Sequence, residues 1–546
     1  MIEKSEKIGI AVDTQNSGEI EVESSQPSIH RSLEIRHIQL IAIGGLIGTA
    51  LFISIGSGLI KGGPLGLFLA YTIWTIVILF LCSSVGEMVS YLPISSPFIT
   101  MAGRCVDESL EFCAGWNYYI MLSLYIPFEI TAVNGQIHFW RDDYSPAIPL
   151  CVQIVLYVAI NIFAVRYYGE SEFWLSLGKL ILAVGLIFFT FITMIGGNPQ
   201  HDVYGFRNWN AKGGPIAEYL GTGSTGRFQG FLAALIQAAF TIVGPEYISM
   251  VAGEAKDPRK SIPTAFRTVM YRLVIFFILG SLSVSIIIAY NNPTFLEMNG
   301  TASNAAASPY VVAMKNMGIK VLPDIVNILI ITSSFSAGNS QVFCTSRVLH
   351  SLSRRGFAPR VCGICTRKGV PIVGVGIAMC FALLSLLQLG STSATVLNYI
   401  VSLCTGSQVL NYVFMSFTYF GFYRACKAQG IDRKDFSYTS WCQPYSSIII
   451  CVLLILMVAA VGYSVFLPGQ WEVDNFLFSY IMVFINIFGF VSWKLIKRTK
   501  LVKPEEADLK SGLEEIESHE YDLYYDEGEK IDFPKKWHQK ILSWLF

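Results

Sequence analysis

Three charged residues stand well inside long apolar stretches of this chain, where an ionised side chain is costly. They are Glu129, Lys179 and Glu246. Charges inside a hydrocarbon layer are rare, and they commonly mark solute pathways and proton relays. Glu246 in particular could meet the amine of a substrate or carry a proton. These residues are therefore the first candidates for chemistry, and we predict that they take part in proton coupling.

Each of the three also has a purely structural interpretation. Glu246 could accept hydrogen bonds from backbone N–H groups freed near Pro245. Lys179 lies about two turns from one end of its apolar stretch, so its ammonium group could extend to the membrane interface. Glu129 follows Pro127, and it could either turn toward the centre of the bundle at a kink or make a hydrogen bond between helices. The residues alone leave these alternatives open.

Two interruptions by glycine or proline occur in apolar stretches that are five stretches apart. They read Gly44-Gly45-Leu46-Ile47-Gly48-Thr49 and Phe240-Thr241-Ile242-Val243-Gly244-Pro245-Glu246. Glycine weakens a helix and proline removes a backbone N–H, so we expect both helices to be unwound there. Free N–H groups at the positive end of a half-helix suit a substrate carboxylate at mid-membrane depth. Alternatively, the first set of glycines merely permits close helix packing.

The elements that must position these residues are membrane-spanning helices. A bilayer core needs about 20 apolar residues per helix, because lipid offers no partner for free backbone groups. About twelve stretches satisfy this requirement, at residues 38–60, 66–90, 112–138, 148–165, 172–196, 229–251, 268–290, 322–346, 371–389, 395–422, 447–467 and 476–496. The sequence therefore predicts an all-α polytopic membrane protein.

Composition supports a membrane protein and argues against several other classes. Of the 546 residues, 53% are hydrophobic and only 14% are charged, whereas soluble domains carry about 25% charged residues. The 39 basic and 39 acidic residues balance, so nothing suggests a nucleic-acid partner. The C-x-x-C formed by Cys362 and Cys365 has no second pair at zinc spacing. The histidines are few and scattered, so we expect neither an enzyme nor a cofactor.

Basic residues indicate the orientation, since Lys and Arg accumulate in short cytoplasmic loops. The densest cluster follows the eighth stretch and comprises Arg347, Arg354, Arg355, Arg360, Arg367 and Lys368. This distribution places both termini in the cytoplasm. We expect a cytoplasmic N-terminus (residues 1–37), a membrane domain (residues 38–500) and a cytoplasmic tail (residues 501–546), with disorder in the polar, largely acidic residues 1–30 and about 503–530.

The exposed ends suggest one further partner. Lys4 and Lys7 stand in the N-terminal segment that we expect to be flexible, and flexible termini are accessible to modifying enzymes. They are hypothetical acceptors for the ubiquitin-ligase machinery.

Several motifs together resemble the fungal amino acid permeases of the amino acid-polyamine-organocation superfamily. They include Arg36-His37, Ile41-Ala42-Ile43-Gly44-Gly45-Leu46-Ile47-Gly48-Thr49, Gly62-Gly63-Pro64, Gly86-Glu87-Met88, Gly169-Glu170-Ser171-Glu172-Phe173-Trp174 and Asp257-Pro258-Arg259-Lys260-Ser261-Ile262-Pro263. The resemblance extends from about Arg31 to about Lys500. Within the family, Gly196-Gly197-Asn198-Pro199 and Ala428-Gln429-Gly430-Ile431-Asp432 are most similar to the dicarboxylic amino acid permeases.

This resemblance implies two inverted repeats of five helices, with helices one and six broken, and two additional helices. It also implies proton-driven import of amino acids at a plasma membrane. The substrate site would then comprise Gly45, Ile47, Gly48, Thr49, Phe240, Thr241 and Gly244. In related members a lysine that matches Lys179 stands where sodium sits in sodium-driven relatives, which favours a role in coupling.

The sequence leaves alternatives open for both the substrate range and the activity. The chain departs from the family pattern at Ala50 and Pro245. An ionised Glu129 facing the site would repel acidic amino acids unless it were protonated or paired with a cation such as Lys179. A neutral or broad substrate range therefore stays open beside the acidic range that the resemblance suggests. The rival function is an amino acid receptor that keeps the permease fold but does not transport.

Overall fold

The computed structural model describes residues 48–94, 96–141, 143–163, 165–210, 213–300, 308–366, 369–389, 393–514 and 516–518. Across these ranges the regular structure is entirely helical. In chain order, the α-helices are α1 (Ile55–Tyr91), α2 (Pro97–Cys105), α3 (Glu108–Ile137), α4 (Ala147–Phe163), α5 (Val165–Met194), α6 (Gly223–Thr241), α7 (Pro245–Val251), α8 (Pro258–Leu273), α9 (Gly280–Ile287), α10 (Pro293–Gly300), α11 (Pro309–Asn316), α12 (Leu322–Arg354), α13 (Ile372–Ala382), α14 (Ser393–Ala428), α15 (Tyr445–Ala460) and α16 (Val473–Lys497).

The predicted all-α polytopic fold is confirmed. In the part of the chain that the structure describes, 7 helical stretches are long and apolar enough to cross a membrane, and α4 and α15 supply shorter apolar helices. The helices α3 and α12 coincide with the third and eighth predicted stretches and are 30 and 33 residues long. Their buried faces carry many polar side chains, because they contact other helices at the centre of the bundle rather than lipid.

The boundary between the first two predicted stretches is a sharp kink rather than a loop. Helical hydrogen bonding runs from one stretch into the next, but Gly63 has φ 68° and is followed by Pro64. A Cβ on Gly63 would lie 2.6 Å from the backbone nitrogen of Ala217. Only glycine permits both this conformation and this close approach.

The sixth predicted stretch is broken where the sequence indicates. α6 ends at Thr241 and α7 begins at Pro245, with an extended backbone at Ile242 between them. The first predicted interruption lies largely outside the described residues, which begin at Gly48. From Thr49 onward the chain is helical, first as a π-helical segment, Ala50–Ser54.

The C-terminal segment corrects one expectation. Residues 499–518, which we call the docked tail, fold back onto the ends of the helices, except at residue 515, which is not described. The amide of Val502 donates to the carbonyl of Val106 at 2.9 Å, and Gln429 donates to the carbonyl of Ala507 at 2.7 Å. The predicted disorder from about residue 503 is therefore wrong for the described part.

Two apolar side chains in the otherwise polar tail explain why it docks on the helices. Leu509 and Ile516 are each 1% exposed, and Arg104 both pairs with Asp508 and donates to the carbonyl of Ser511 at 2.8 Å. The composition of the tail predicted disorder, because it contains few apolar residues as a whole. An average composition takes no account of a few side chains that become buried.

Candidate functional site

The break between α6 and α7 exposes backbone carbonyls inside the bundle, and tyrosines from other helices meet them. The hydroxyl of Tyr125 donates to the carbonyl of Phe240 at 3.4 Å. The hydroxyl of Tyr412 lies 3.3 Å from the carbonyl of Ile242. A helix interruption at this depth is tolerated only where protein groups or a cavity take over the freed backbone groups.

Glu246 lies at the start of α7 and is completely buried. Its Oε2 accepts the backbone N–H of Gly244 at 3.2 Å, and its Oε1 accepts from Nε2 of Gln408 at 2.6 Å. The hydroxyl of Tyr412 is 3.3 Å from the same Oε1. The contact expected from the structural interpretation of Glu246 is thus present. It stabilises the break, and it leaves the carboxylate inside the bundle beside the predicted site.

The two residues before the break face different helices. The ring of Phe240 stacks on Tyr125 with centroids 5.6 Å apart and meets the edge of Phe128 at 5.1 Å, so it faces α3. The hydroxyl of Thr241 instead accepts from Tyr71 of α1 at 2.9 Å. Phe240 therefore belongs to an aromatic layer, while Thr241 joins α6 to α1.

The start of the described chain meets Glu129 directly. The hydroxyl of Thr49 makes a short hydrogen bond to the Glu129 carboxylate and lies 2.5 Å from the hydroxyl of Ser334 on α12. A Cβ on Gly48 would approach Oε1 of Glu129 to 3.0 Å. Glu129, which is 4% exposed, thus faces the centre of the bundle next to the predicted carboxylate site.

Lys179 does not extend to the membrane interface. It is 2% exposed, and its Nζ lies 3.7 Å from Oε1 of Glu172, which is equally buried. Ser336 of α12 donates to both oxygens of Glu172, at 3.0 and 2.9 Å. Lys179 is also within electrostatic range of Glu129. A buried ammonium group needs such partners, because an isolated charge would be very costly.

Most of the predicted residues lie in two neighbouring groups, one of which also contains Glu172, which was not predicted. One, which we call the charged cluster, comprises Thr49, Glu129, Glu172 and Lys179, with Gly48 beside it. The other comprises Phe240, Gly244 and Glu246 at the break. α3 joins them, because Tyr125 and Glu129 are one turn apart on it and contact the respective groups. Gly45 and Ile47 lie outside the described residues.

Sequence reasoning missed Glu172 as a member of the site, although a signal existed. Glu172 and Lys179 are seven residues apart on α5, and residues two turns apart share one helix face. Glu172 begins its apolar stretch and belongs to a family motif, so its position drew no attention as a buried charge. For Gln408 and Tyr412 on α14 the sequence contained no comparable signal.

Comparisons with known proteins identify the family. The amino acid permease family model matches residues 37–505. The chain is 50% identical over 505 residues to the general amino acid permease AGP2 of Saccharomyces cerevisiae. The aligned region covers 91% of this chain and 84% of that protein. It is 35% identical over 526 residues to the dicarboxylic amino acid permease of the same yeast, covering 95% and 85% of the two chains.

Other similarities bear on substrate class and fold. A proline-specific permease of Emericella nidulans is 36% identical over 538 residues, covering 97% of this chain and 95% of that one. The dicarboxylic permease is thus no more similar than permeases named for other substrates, so the motifs shared with it do not assign a subgroup. A manganese transporter of Eremococcus coleocola superposes with a TM-score of 0.53 at 12% identity, covering 85% and 94% of the chains, and this likeness concerns the fold alone.

The matched region includes the broken helix, the charged cluster and all the helices described above. The relatives are fungal permeases of amino acids, and the apolar helices are those of a multi-pass membrane protein. The chain belongs to the amino acid permease family, whose members transport amino acids across membranes.

Proposed function

We propose that this permease imports L-amino acids together with protons, and that the charged cluster couples the two movements. The observation that carries the proposal is the direct contact between Thr49, at the predicted carboxylate site, and Glu129, within range of Lys179. A proton taken up by this cluster changes its net charge. Glu129, a titratable member of the cluster, lies against the predicted substrate site. Each proton that moves inward through 100 mV supplies about 2.3 kcal/mol for uphill transport.

The substrate would lie between the start of α1 and the break after α6. Backbone N–H groups around Gly45, Ile47, Gly48 and Thr49 would receive its carboxylate, since anions favour the positive end of a helix. Phe240 would cover it, and Gly244 would leave room at the break. The hydroxyl of Thr241 is engaged with Tyr71, so this residue would act through its backbone.

The charge of the site favours a broad range with neutral amino acids preferred. An ionised Glu129 repels a second carboxylate, so acidic substrates would bind only when Glu129 is protonated or Lys179 compensates its charge. The names of the relatives, which refer to general, dicarboxylic and proline transport, allow both classes. We therefore propose broad specificity, with uptake of aspartate and glutamate rising as the pH falls.

Uptake by permease-deficient yeast cells that express the chain tests these proposals. Labelled neutral, acidic and basic amino acids would be compared with and without a protonophore, beside a Lys179→Met variant at equal surface level. We expect uptake by the wild type to depend on the proton gradient and Lys179→Met to lose accumulation. Uptake that is unchanged by the protonophore would contradict proton coupling. Amino-acid-induced signalling without uptake would favour the receptor function.

Location and turnover complete the proposal. The distribution of basic residues supports cytoplasmic termini, and we propose the plasma membrane as the location from the resemblance to the fungal permeases. Lys4 and Lys7, which lie outside the described residues, would accept ubiquitin. An unchanged surface lifetime in the Lys4→Arg, Lys7→Arg double variant would eliminate this role.

A further inference from the structure

Glu172 belongs to the charged cluster, but the coupling proposed above assigns it no step of its own. Its carboxylate is buried, pairs with Lys179 at 3.7 Å and accepts two hydrogen bonds from Ser336. Ser176, one turn further along α5, adds a contact of 3.4 Å. A buried carboxylate with this many partners needs a reason, because burying an ion pair is not in itself stabilising.

The two carboxylates near Lys179 come from different helices, Glu129 from α3 and Glu172 from α5. Glu129 is held by Thr49 at the predicted substrate site. Glu172 is seven residues closer to the beginning of α5, which corresponds to about 10 Å along the helix axis. With the N-terminus in the cytoplasm, as proposed above, the beginning of α5 is its cytoplasmic end. The backbone of Glu172 therefore lies on the cytoplasmic side of the backbone of Lys179.

One helix connects both carboxylates. Ser334 and Ser336 of α12 are two residues apart, and they contact Thr49 and Glu172 respectively. Two charged groups that act on Lys179 are Glu172 from its own helix and Glu129 from α3. α12 contributes neutral hydroxyls, and the phenol of Tyr157 on α4 lies near Glu129 across Gly338.

We propose that Glu172 is the group that receives the proton from Lys179 and releases it to the cytoplasm, a role that rests on the proposed proton symport. A shift of about 1 Å would bring Nζ of Lys179 into hydrogen-bond distance of Oε1 of Glu172. The N–H bond of the ammonium group then breaks and an O–H bond forms on Glu172. The products are a neutral amine and a neutral carboxylic acid.

The cycle closes with water on the cytoplasmic side as proton acceptor and with a proton from the extracellular side. When the cytoplasmic side opens, the O–H bond of Glu172 breaks, its proton passes to water and the carboxylate is regenerated. The neutral amine of Lys179 takes the next proton from the extracellular side by way of Glu129. One proton thus moves inward in each cycle.

The test uses the full chain reconstituted into proteoliposomes with a radiolabelled mixture of L-amino acids. Glu172→Gln keeps the shape of the side chain and an acceptor for Ser336 but removes the proton acceptor. We expect this variant to lose accumulation driven by an inward proton gradient while it retains counterflow exchange, which needs no net proton movement. Glu108→Gln, which changes an exposed carboxylate outside the cluster, should leave both activities at the wild-type level.

The outcomes separate the inference from the proposed symport. If the wild type itself accumulates substrate without regard to the proton gradient, the symport fails and the inference fails with it. If the wild type responds to the gradient and Glu172→Gln accumulates equally well, only the role of Glu172 is overturned. Loss of counterflow together with accumulation would make Glu172 a merely structural residue.

A second variant covers the case in which Glu172→Gln does not fold. Glu172→Asp keeps a titratable group but withdraws it from Lys179 by about one methylene group. We expect its counterflow to persist while the pH dependence of its gradient-driven accumulation shifts from that of the wild type. An unchanged pH dependence would contradict the proposal.

Discussion

At the scale of single residues, the hydroxyl of Thr49 links the start of α1 to Glu129 and α12. Replacing Thr49 by Val keeps the shape but leaves the buried Glu129 carboxylate without this donor. Loss of a hydrogen bond to a charged group costs about 1.5–3 kcal/mol. We expect Thr49→Val to lower the initial uptake rate by about ten-fold or more, as measured by labelled uptake normalised to surface level.

The matched variant Thr49→Ser retains the hydroxyl and should keep most of the activity. Equal uptake by the Val and Ser variants would show that the hydroxyl has no role in transport.

Gly338 on α12 allows Glu129 and Tyr157 to approach the helix. A Cβ there would lie 2.2 Å from the Tyr157 hydroxyl and 3.1 Å from Cβ of Glu129. Overpacking of this kind typically costs about 1–3 kcal/mol. We therefore expect Gly338→Ala to lower the thermal unfolding temperature of the purified protein in detergent and to reduce uptake.

Gly178→Ala is the control for this prediction. A Cβ on Gly178 meets nothing within 4 Å, and alanine is favoured over glycine within a helix by roughly 0.5–1 kcal/mol. Its unfolding temperature should be unchanged or higher. A Gly338→Ala protein as stable as the Gly178→Ala protein would show that α12 can move away from Tyr157 at little cost.

The buried charged residues of the two groups show what the sequence can and cannot predict. Glu129, Lys179 and Glu246 are recognisable because a charge in an apolar stretch is exceptional. Their partners are not, since Ser334, Ser336 and Gln408 are ordinary polar residues whose importance depends on which helices pack together. The pairing of Lys179 with Glu172 is local to one helix and could have been predicted from spacing alone.

At the scale of elements, the break between α6 and α7 was predictable and the way it is stabilised was not. Gly244 and Pro245 indicate an interruption by their backbone chemistry. The groups that complete it, Tyr125 on α3 and Tyr412 on α14, come from distant parts of the chain. Only the assembled bundle brings them to the free carbonyls.

Two substitutions of Glu246 separate its structural contact from a role in coupling. The amide of Glu246→Gln can still accept the N–H of Gly244, and Oε1 of Gln408, which is buried without a partner, can accept the new amide N–H. We expect this variant to reach the surface and to show weaker gradient-driven uptake. Full coupling in Glu246→Gln would restrict Glu246 to stabilising the break.

Glu246→Leu removes every acceptor at this position. Leaving buried donors unpaired costs about 1–3 kcal/mol each, so we expect lower surface expression and a lower unfolding temperature than for Glu246→Gln. Equal stability of the two variants would show that the break does not depend on Glu246.

At the scale of the whole molecule, the docked tail contacts the ends of several helices, and Leu509 and Ile516 are its buried apolar side chains. A carboxylate introduced at Leu509 would be buried without a partner, at a cost of about 1–3 kcal/mol or more. We expect Leu509→Asp to release the tail, seen as faster proteolysis of the C-terminus in inside-out vesicles. Lys510→Asp, at an exposed neighbouring position, should leave the cleavage rate near that of the wild type.

The same experiment tests the predicted orientation. Cleavage of the tail in inside-out but not in right-side-out vesicles is expected if the C-terminus is cytoplasmic. The reverse pattern would overturn the orientation and, with it, the direction assigned to the proton path.

If amino acid import is coupled to protons through the charged cluster, protons must enter together with the substrate. The most direct test is to follow the internal pH of proteoliposomes with a trapped fluorescent indicator while a labelled L-amino acid enters. We expect internal acidification that begins with substrate addition in the wild type and is absent in Lys179→Met. Substrate entry without acidification would contradict this coupling.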